Sequence, residues 1–125
     1  KTKYDVSKML EDVLGDLKDK VTISYIQNEE SSISSTDNEF YETLQRVSAS
    51  MINNAKLLPT IASYGTDARY YRRNESVAYG FGMFSTAISY EDHLNMFHSR
   101  NEKVDIESLD LTKEMYKRVI KEFLG

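Results

Sequence analysis

The chain has 125 residues, a formal net charge of −4 and a sequence pI near 5.2. This length suits one domain with a modest core, and the acidic balance argues against a nucleic-acid partner, which calls for a basic face. The absence of cysteine excludes disulfides and thiolate metal sites, and no apolar run approaches the roughly 20 residues that span a bilayer. The chain enters a helical pattern directly after Lys1 without a signal peptide, so we expect a cytoplasmic protein.

The first part of the chain predicts one helix followed by one strand. Apolar residues follow a single helical stripe over 5–17. Alternating apolar residues over 21–26 then indicate a strand. The polar, serine-rich stretch after this strand is typical of a linker. The predicted organisation therefore has three parts, which are residues 1–27, the linker 28–35 and residues 36–125.

Beyond the linker, helices and strands are predicted to alternate. Thr36 and Glu39 form a capping-box motif, which predicts a helix that runs to about Ala55. The elements expected after it are a strand at 57–62, a helical turn ending at Arg73, a strand at 77–81, a loop over 85–100 and a final helix over 106–124. This alternation favours an α/β fold with a largely parallel sheet flanked by helices.

The two long helices after the linker are predicted to supply the core. Each has apolar residues at helical spacing along one side. The residues expected to face inward are Phe40, Leu44, Val47, Met51 and Ile52 in the first helix, and Leu109, Met115 or Tyr116, Val119, Ile120 and Phe123 in the second.

The segment Gly65–Arg72 is the first of three with chemical potential. A glycine turn followed by Thr66 and Asp67 at a helix start places a hydroxyl, a carboxylate and backbone amides together. Arg69 then offers a bidentate fork that suits a substrate carboxylate. The alternative is a capped helix with a surface arginine, which is the commoner meaning of such a segment.

Two glycines lie within the second segment, the apolar strand candidate 77–82. Gly80 and Gly82 indicate a close backbone approach, either to a ligand or to a packed neighbour. Packing is the commoner explanation.

The third segment, His98–Glu102, follows an irregular stretch. A histidine there can present a neutral imidazole nitrogen to a metal ion. The only other histidine is His93, whereas a zinc site needs three or four ligands. The residues themselves therefore offer one candidate ligand without a complete site.

Taken in order, these segments resemble the C-terminal half of the zinc aminoacylase/carboxypeptidase family, which includes acetylornithine deacetylase, succinyl-diaminopimelate desuccinylase and glutamate carboxypeptidase. The shared elements are a Gly/Ser-Thr-Asp-x-Arg turn, here Gly65–Arg69, an apolar Gly-containing strand, here Ala78–Gly82, and a His-x-x-Asn/Asp-Glu element, here His98–Glu102, before a last amphipathic helix. The resemblance covers residues from about 36 to 124. Residues 1–27 resemble, less specifically, the last helix and strand of the family's inserted lid or dimerisation domain.

The resemblance implies roles on both sides of a catalytic cleft. His98 would be the last metal ligand, and Asn101 and Glu102 would shape its loop. Arg69 would hold the substrate carboxylate. The remaining implied substrate-binding residues are Thr66 and Asp67, which would build that wall of the pocket, and Gly80 and Gly82, which would line the cleft with backbone.

The activity implied by the resemblance is metal-assisted hydrolysis of amide bonds in N-acyl amino acids or peptides. Two zinc ions, with cobalt or manganese as substitutes, would activate a bridging water while a glutamate shuttles the proton. The family's other ligands and its glutamate base come from an N-terminal half that the matched segments do not include. We therefore expect a C-terminal fragment without catalytic residues or activity of its own, taken from a longer protein that is a homodimer through its lid, with no nucleic-acid or membrane partner.

Two other interpretations stay open at this stage. The chain would be a non-enzymatic α/β module that binds a small acid or a partner protein through the wall around Arg69. Such a module should bury its own core, whereas a fragment should leave an apolar edge or helix face uncovered. The third interpretation is a small complete metalloprotein that combines His93 and His98 with the nearby Glu91 and Asp92.

Overall fold

The computed structural model describes residues 3–26, 29–62 and 64–125. The chain divides into two compact units, Lys1–Ile33 and Ser34–Gly125, and the boundary between them lies within residues 28–35. All regular secondary structure in the described ranges is helical. The assignment of residues 1–27 to a lid domain stays a prediction.

The first unit contains the predicted N-terminal helix. Helix α1 spans Lys3–Leu14 and is followed by a 3-10 helix at Gly15–Lys20. Gly15 has a φ of +53°, which glycine adopts without a steric penalty, at the point where the helix tightens. The extended residues that follow form no strand, and a 2.7 Å hydrogen bond between the Ser7 and Tyr25 hydroxyls ties them back to α1. None of the residues whose burial is described in this unit is buried, so its apolar stripe is incompletely covered.

The second unit is organised around two packed helices. Helix α2 spans Glu39–Met51 and helix α5 spans Ile106–Leu124, and these two contact each other. Two short helices lie between them in the sequence, α3 at Ala68–Arg73 and α4 at Tyr90–Met96. The buried hydrophobic core consists of Leu44, Val47, Met83, Met115 and Val119.

The predicted core is correct in part. Leu44 and Val47 on α2, and Met115 and Val119 on α5, are buried as expected. Phe40 and Met51 are partly buried against this core. The inward assignment of Phe123 is wrong, because its side chain is 39% exposed, although its ring centroid lies 5.2 Å from that of Phe40. The remaining inward assignments are wrong, because the exposed hydrophobic side chains include Ile52, Leu109 and Ile120.

Helix α2 begins two residues later than the capping box predicts. The N-cap is Asn38, whose Oδ1 accepts a 3.0 Å hydrogen bond from the Tyr41 amide. The Asn38 amide group also donates to the Ser35 carbonyl and to the Tyr79 hydroxyl, each at 2.6 Å. These contacts fix Asn38 at the helix start, and Asn caps at least as well as Thr. The prediction of a box formed by Thr36 and Glu39 is therefore wrong.

An extended segment, residues 77–85, lies beside α5 and is held there by helix side chains. The Met83 amide donates to Thr112 Oγ1 at 2.9 Å, and the Thr112 hydroxyl donates to the Met83 carbonyl at 2.8 Å. The hydroxyls one turn before and one turn after Thr112 bond the neighbouring alternate residues, Ser108 to the Ser85 amide at 2.9 Å and Tyr116 to the Phe81 carbonyl at 2.7 Å. We call Ser108, Thr112 and Tyr116 the hydroxyl ladder.

The hydroxyl ladder can bond successive alternate residues because the rise along the helix matches the rise along the extended segment. Four residues of α-helix rise about 6 Å, and two residues of extended chain rise about 6.6 Å. Hydroxyls at every fourth helix position therefore match alternate residues of a chain that runs antiparallel to the helix. The side chains of α5 supply the hydrogen bonds that a neighbouring strand would otherwise supply.

The predicted α/β fold with a largely parallel sheet is wrong. The structure contains no strand in the ranges it describes. Alternating apolar residues do produce extended chain at 77–85, but its polar backbone groups bond to side chains and not to another strand. The other strand candidate after the linker, 57–62, contains Pro59, which lacks a donor, and its Ile61 side chain is 97% exposed.

The stretch 85–100, predicted as loop, contains α4, whereas the final helix matches its predicted bounds. The Ser89 hydroxyl accepts from the Asp92 amide at 3.1 Å and caps α4. Glu91 and Asp92 in the first turn favour this helix start. Helix α5 occupies 106–124 as predicted and is capped by Asp105.

Asp105 joins the start of α5 to the end of the extended segment. Its Oδ1 accepts from the Ser108 amide and from the Ser85 hydroxyl, both at 2.8 Å, and its Oδ2 accepts from the Ser108 hydroxyl at 2.6 Å. The two Ser108 donors, followed by the Ser85 hydroxyl, lower the pKa of Asp105 from 3.8 to about 2. The ionised carboxylate is therefore the form that the native structure favours.

Replacing Leu44 with Ala should lower the free energy of unfolding by roughly 2–5 kcal/mol, because the side chain is 3% exposed and its loss leaves a cavity between α2 and α5. Urea denaturation measures this change. The matched control is Leu109→Ala, at a side chain 55% exposed, where the loss should stay within about 0.5 kcal/mol. Equal losses in the two variants would contradict the assigned core.

The Asp105→Asn variant tests the acid dependence. The folded pKa lies below the unfolded value, so the carboxylate stabilises the native state fully above about pH 5, and this stabilisation is lost as the pH falls through 3.8 towards about 2. The difference in unfolding free energy between the natural chain and Asp105→Asn should therefore be constant at neutral pH and shrink across that acid range. Urea titrations at several pH values measure it, with the exposed Asp37→Asn as control. A difference that does not change with pH would be inconsistent with the shifted pKa.

Candidate functional site

The turn at Gly65–Arg69 lies immediately before α3. The Thr66 carbonyl accepts from the Arg69 amide at 3.3 Å, and the Asp67 carbonyl accepts from the Tyr70 amide at 3.0 Å. Asp67 is the N-cap, but its side chain makes no capping hydrogen bond. Thr66 and Asp67 are both exposed. The capped-helix alternative is therefore incomplete, because the carboxylate points to no helix amide.

Arg69 is half-buried, and its guanidinium lies close to Gly65 and to Tyr70. A Cβ added to Gly65 would be 3.1 Å from the Arg69 Nη1, so glycine at 65 gives the guanidinium room. The guanidinium carbon lies 4.9 Å from the centroid of the Tyr70 ring, and Nη2 donates to the Tyr70 hydroxyl at 3.1 Å. The Tyr70 ring thus restricts the position of the Arg69 guanidinium.

Arg72, one turn after Arg69, has a structural contact pattern. Its Nη2 donates to the Ala78 carbonyl at 2.6 Å, and its Nε lies 3.1 Å from both this oxygen and the Ser34 hydroxyl. The Ser34 hydroxyl also accepts from the Ala78 amide at 3.0 Å. Arg72 therefore connects α3 to the start of the extended segment, a role that the sequence analysis missed.

Gly80 and Gly82 lie in the middle of that extended segment. A Cβ added to Gly82 would meet Thr112 Oγ1 at an ordinary 3.6 Å, whereas one added to Gly80 would have nothing within 4 Å. Neither glycine has a positive φ. Gly82 is therefore explained in part by packing against α5, and Gly80 faces open space.

His98 lies on an exposed loop with an uncommon backbone. His98 and Asn101 have φ values of +56° and +62°, in the left-handed region that side chains rarely adopt. The Glu102 carboxylate accepts from the His98 amide at 3.2 Å, and the Glu102 amide donates to the Ser99 carbonyl at 3.4 Å. Glu102 thus closes the loop, and the loop-shaping role that the resemblance implies for Asn101 and Glu102 stays a prediction. Local strain of this kind often accompanies a functional position.

An aromatic pair brings two of the three segments together. The rings of Tyr64 and Phe97 lie with centroids 6.3 Å apart at an interplanar angle of 60°. Tyr64 directly precedes Gly65, and Phe97 directly precedes His98. The residues that directly precede the predicted carboxylate-binding turn and the predicted metal ligand are therefore in contact. Neither aromatic residue was predicted as part of the site, although both stand directly beside the two motifs in the sequence.

A comparison with known protein families identifies the family of this chain. The model of peptidase family M20/M25/M40 matches residues 4–122, which is nearly the whole chain. The chain belongs to this peptidase family. Membership indicates a hydrolase of the metallopeptidase or amidohydrolase kind and confirms the family resemblance of the three segments. Comparison with curated proteins and with solved structures gives no match.

The described residues of this M20-family chain do not form a metal site by themselves. No group of three or more His, Asp or Glu side chains in the described ranges could hold an ion. His98 is exposed and belongs to no such group. No helix in the described part of the chain combines the length and hydropathy that a bilayer span requires.

The second histidine has a different environment. His93 is 4% exposed in α4, and its ring centroid lies 4.5 Å from that of Phe84. Its Nε2 is buried without a hydrogen-bond partner in the described ranges. The buried His93 and the exposed His98 do not form a shared site with Glu91 and Asp92, so the structure does not support the small metalloprotein.

The His98 loop should depend on the left-handed residue Asn101. Asn101→Ala should lower the free energy of unfolding by about 1 kcal/mol, because a Cβ without a locally bonding side chain is penalised there. Asn101→Gly should be close to neutral, since glycine accepts this conformation. Chemical denaturation measures both, with the exposed helical Asn95→Ala as control. If alanine and glycine had the same effect at 101, the left-handed conformation would not be what constrains the loop.

Proposed function

We propose that this chain is the C-terminal part of a two-zinc hydrolase that cleaves the amide bond of N-acyl amino acids or peptides. In this proposal residues 36–125 belong to the catalytic domain and residues 1–27 to the end of a lid domain. His98 is one metal ligand, and Arg69 holds the substrate carboxylate. The chain alone is inactive, and the longer protein is a homodimer through its lid.

The observation that carries the proposal is the family match over residues 4–122. The match includes the turn at Gly65–Arg69 and the loop at His98–Glu102. The Tyr64–Phe97 contact supports it, since it joins the residues that directly precede the proposed substrate-binding turn and the proposed metal ligand. The competing binding module has no comparable support.

The chemistry of the two proposed site residues suits these roles. The neutral imidazole of an exposed histidine is a common metal ligand, and His98 is exposed on a loop whose backbone is fixed by Glu102. Arg69 lies on a short helix with the basic sequence ARYYRR, so its surroundings favour an anion. Thr66 and Asp67 are exposed beside it and are proposed to line the same wall.

The donor set explains why the proposal gives the isolated chain no activity. A catalytic zinc ion is held by three protein ligands and keeps one position for water or substrate. In this proposal the described residues supply His98 as one such ligand, and they hold no group of three that could bind an ion by itself. The proposal assigns the other ligands and the glutamate base to the N-terminal half of the longer enzyme, and no reaction step is assigned to residues of this chain.

The zinc content of the purified 125-residue chain tests whether the metal site needs ligands from the N-terminal half of the longer enzyme. After dialysis against metal-free buffer, the proposal expects close to zero zinc per chain, because one exposed histidine holds an ion only weakly. Added Zn²⁺ should then shift the imidazole resonances of His98, and this shift should vanish in His98→Gln. The buried His93 is the internal control, and its resonances should not respond.

Three results would contradict the proposal that His98 is one ligand of a metal site completed by the N-terminal half of the longer enzyme. One or two tightly held ions per chain would mean that this chain completes a metal site. Amide hydrolysis by the pure chain that a chelator abolishes would show a catalytic centre here. A response of His93 in place of His98 would contradict the role given to His98.

A further inference from the structure

Tyr70 directly follows Arg69 on α3 and contacts its guanidinium in two ways. The Arg69 Nη2 donates a 3.1 Å hydrogen bond to the Tyr70 hydroxyl, and the guanidinium carbon lies 4.9 Å from the centroid of the Tyr70 ring. The guanidinium carbon of Arg73 lies 5.8 Å from the same centroid. The stretch 67–73 contains three arginines and one aspartate. The electrostatic potential around the Tyr70 hydroxyl therefore favours an anionic ligand.

The hydrogen of the Tyr70 hydroxyl has no acceptor in the described part of the chain. A phenolic hydroxyl both accepts and donates, and here the hydrogen bond from Arg69 occupies the accepting side. The Tyr70 side chain is 49% exposed, so it is not enclosed by the core. Its hydroxyl hydrogen is therefore directed to solvent or to a bound ligand.

The bond from Arg69 also makes this hydroxyl a stronger donor. A hydroxyl that accepts a hydrogen bond is polarised and donates more strongly, and the donor here is cationic, which strengthens the effect. A carboxylate oxygen is the acceptor that gains most, since its charge is opposite to that of the arginine. Arg69 and Tyr70 can thus form a chain of two hydrogen bonds that ends on a carboxylate.

We propose that Tyr70 is a second substrate-binding residue, whose hydroxyl donates to the carboxylate that Arg69 holds. This inference rests on the proposed function, because that proposal gives the substrate carboxylate to Arg69. It narrows the substrate class to N-acyl amino acids and peptides with a free carboxylate on the residue that follows the scissile amide. An ester or a primary amide at that place lacks the negative charge, so both should bind less well.

Gly65 and the Tyr70 ring restrict the positions of the two donors. A Cβ added to Gly65 would be 3.1 Å from the Arg69 Nη1, closer than a side chain normally approaches. The position of the guanidinium therefore depends on glycine at 65, and the Tyr70 ring restricts it further. Less ordering is then needed when a carboxylate binds.

A titration of the chain with N-acetylglycine, followed by NMR with labelled tyrosine, tests the contact. The resonance of the Tyr70 Cζ, the ring carbon that carries the hydroxyl, should shift as N-acetylglycine binds. Tyr71, which is 63% exposed on the same helix, is the internal control, and its Cζ resonance should not move. N-acetylglycinamide has nearly the same shape without the charge and should shift neither resonance. The ionic strength is held constant, because salt screens exposed charges.

Removing the hydroxyl alone gives a second measurement. Tyr70→Phe keeps the aromatic ring beside Arg69 and should raise the Kd for N-acetylglycine about fivefold, because one hydrogen bond to a charged acceptor is lost at a half-exposed position. Tyr71→Phe is the matched control and should leave the Kd unchanged. Arg69→Gln removes the charge and should weaken binding more than Tyr70→Phe does. Circular dichroism verifies that the variants fold.

The outcomes separate this inference from the proposed function. If Tyr70→Phe bound as tightly as the natural chain while Arg69→Gln bound less tightly, the role of Tyr70 would be overturned and that of Arg69 kept. Weaker binding by Tyr70→Phe, without a shift of the Tyr70 resonance in the natural chain, would mean that the hydroxyl only positions Arg69, which also overturns the direct contact. If Arg69→Gln bound as tightly as the natural chain, or if the natural chain did not distinguish N-acetylglycine from N-acetylglycinamide, the carboxylate role of Arg69 in the proposed function would fail as well.

Discussion

The hydroxyl ladder of α5 is the contact on which the arrangement of the second unit depends. Three hydroxyls at four-residue spacing hold alternate residues of the extended segment. They fix its distance from α5 and its register, and so they place Met83 in the core against Met115. The same register brings the Ser85 hydroxyl to Asp105, which caps the helix that carries the ladder. Helix start, core and extended segment therefore support one another.

The candidate site is positioned from this framework through a few side-chain contacts. Arg72 bonds the Ala78 carbonyl and so attaches α3 to the start of the extended segment. Helix α3 in turn carries Arg69. At the other end of the segment, Phe84 packs on the buried ring of His93 in α4, and the chain leaves α4 directly into the His98 loop. Both predicted binding residues thus lie on elements held by neighbours of the extended segment, and the Tyr64–Phe97 pair joins the residues that precede Gly65 and His98.

The sequence predicted the long helices better than the rest of the fold. Helix α5 had both a clear apolar repeat and a glycine at its end, so its bounds were correct. The prediction of its inward face was only partly correct, because α5 has apolar residues over a wider part of its circumference than the core covers. Periodicity alone does not show which of these residues are buried. The short α4 was missed, since seven residues show little periodicity and the signals at its start are confined to the Ser89 cap and the acidic first turn.

The sheet could not be predicted correctly from local pattern. Alternation indicates an extended backbone, but the partner of that backbone is a long-range property, and here the partner is a row of helix hydroxyls. The site was predicted one motif at a time. Gly65, Arg69 and His98 were proposed from residue type and order, and their roles stay predictions, whereas the Tyr64–Phe97 contact and the structural contacts of Arg72 depend on which loops meet. The left-handed backbone at His98 has no sequence pattern of its own.

The hydroxyl ladder also changes how a helix can be interpreted in a sequence. A hydroxyl both donates and accepts, so Thr112 alone satisfies the amide and the carbonyl of Met83, which valine of the same shape could not do. Serine, threonine or tyrosine repeated every fourth residue on one side of an amphipathic helix can therefore hydrogen-bond the backbone of an adjacent extended segment. Such a repeat predicts a helix that packs beside an extended segment from another part of the sequence.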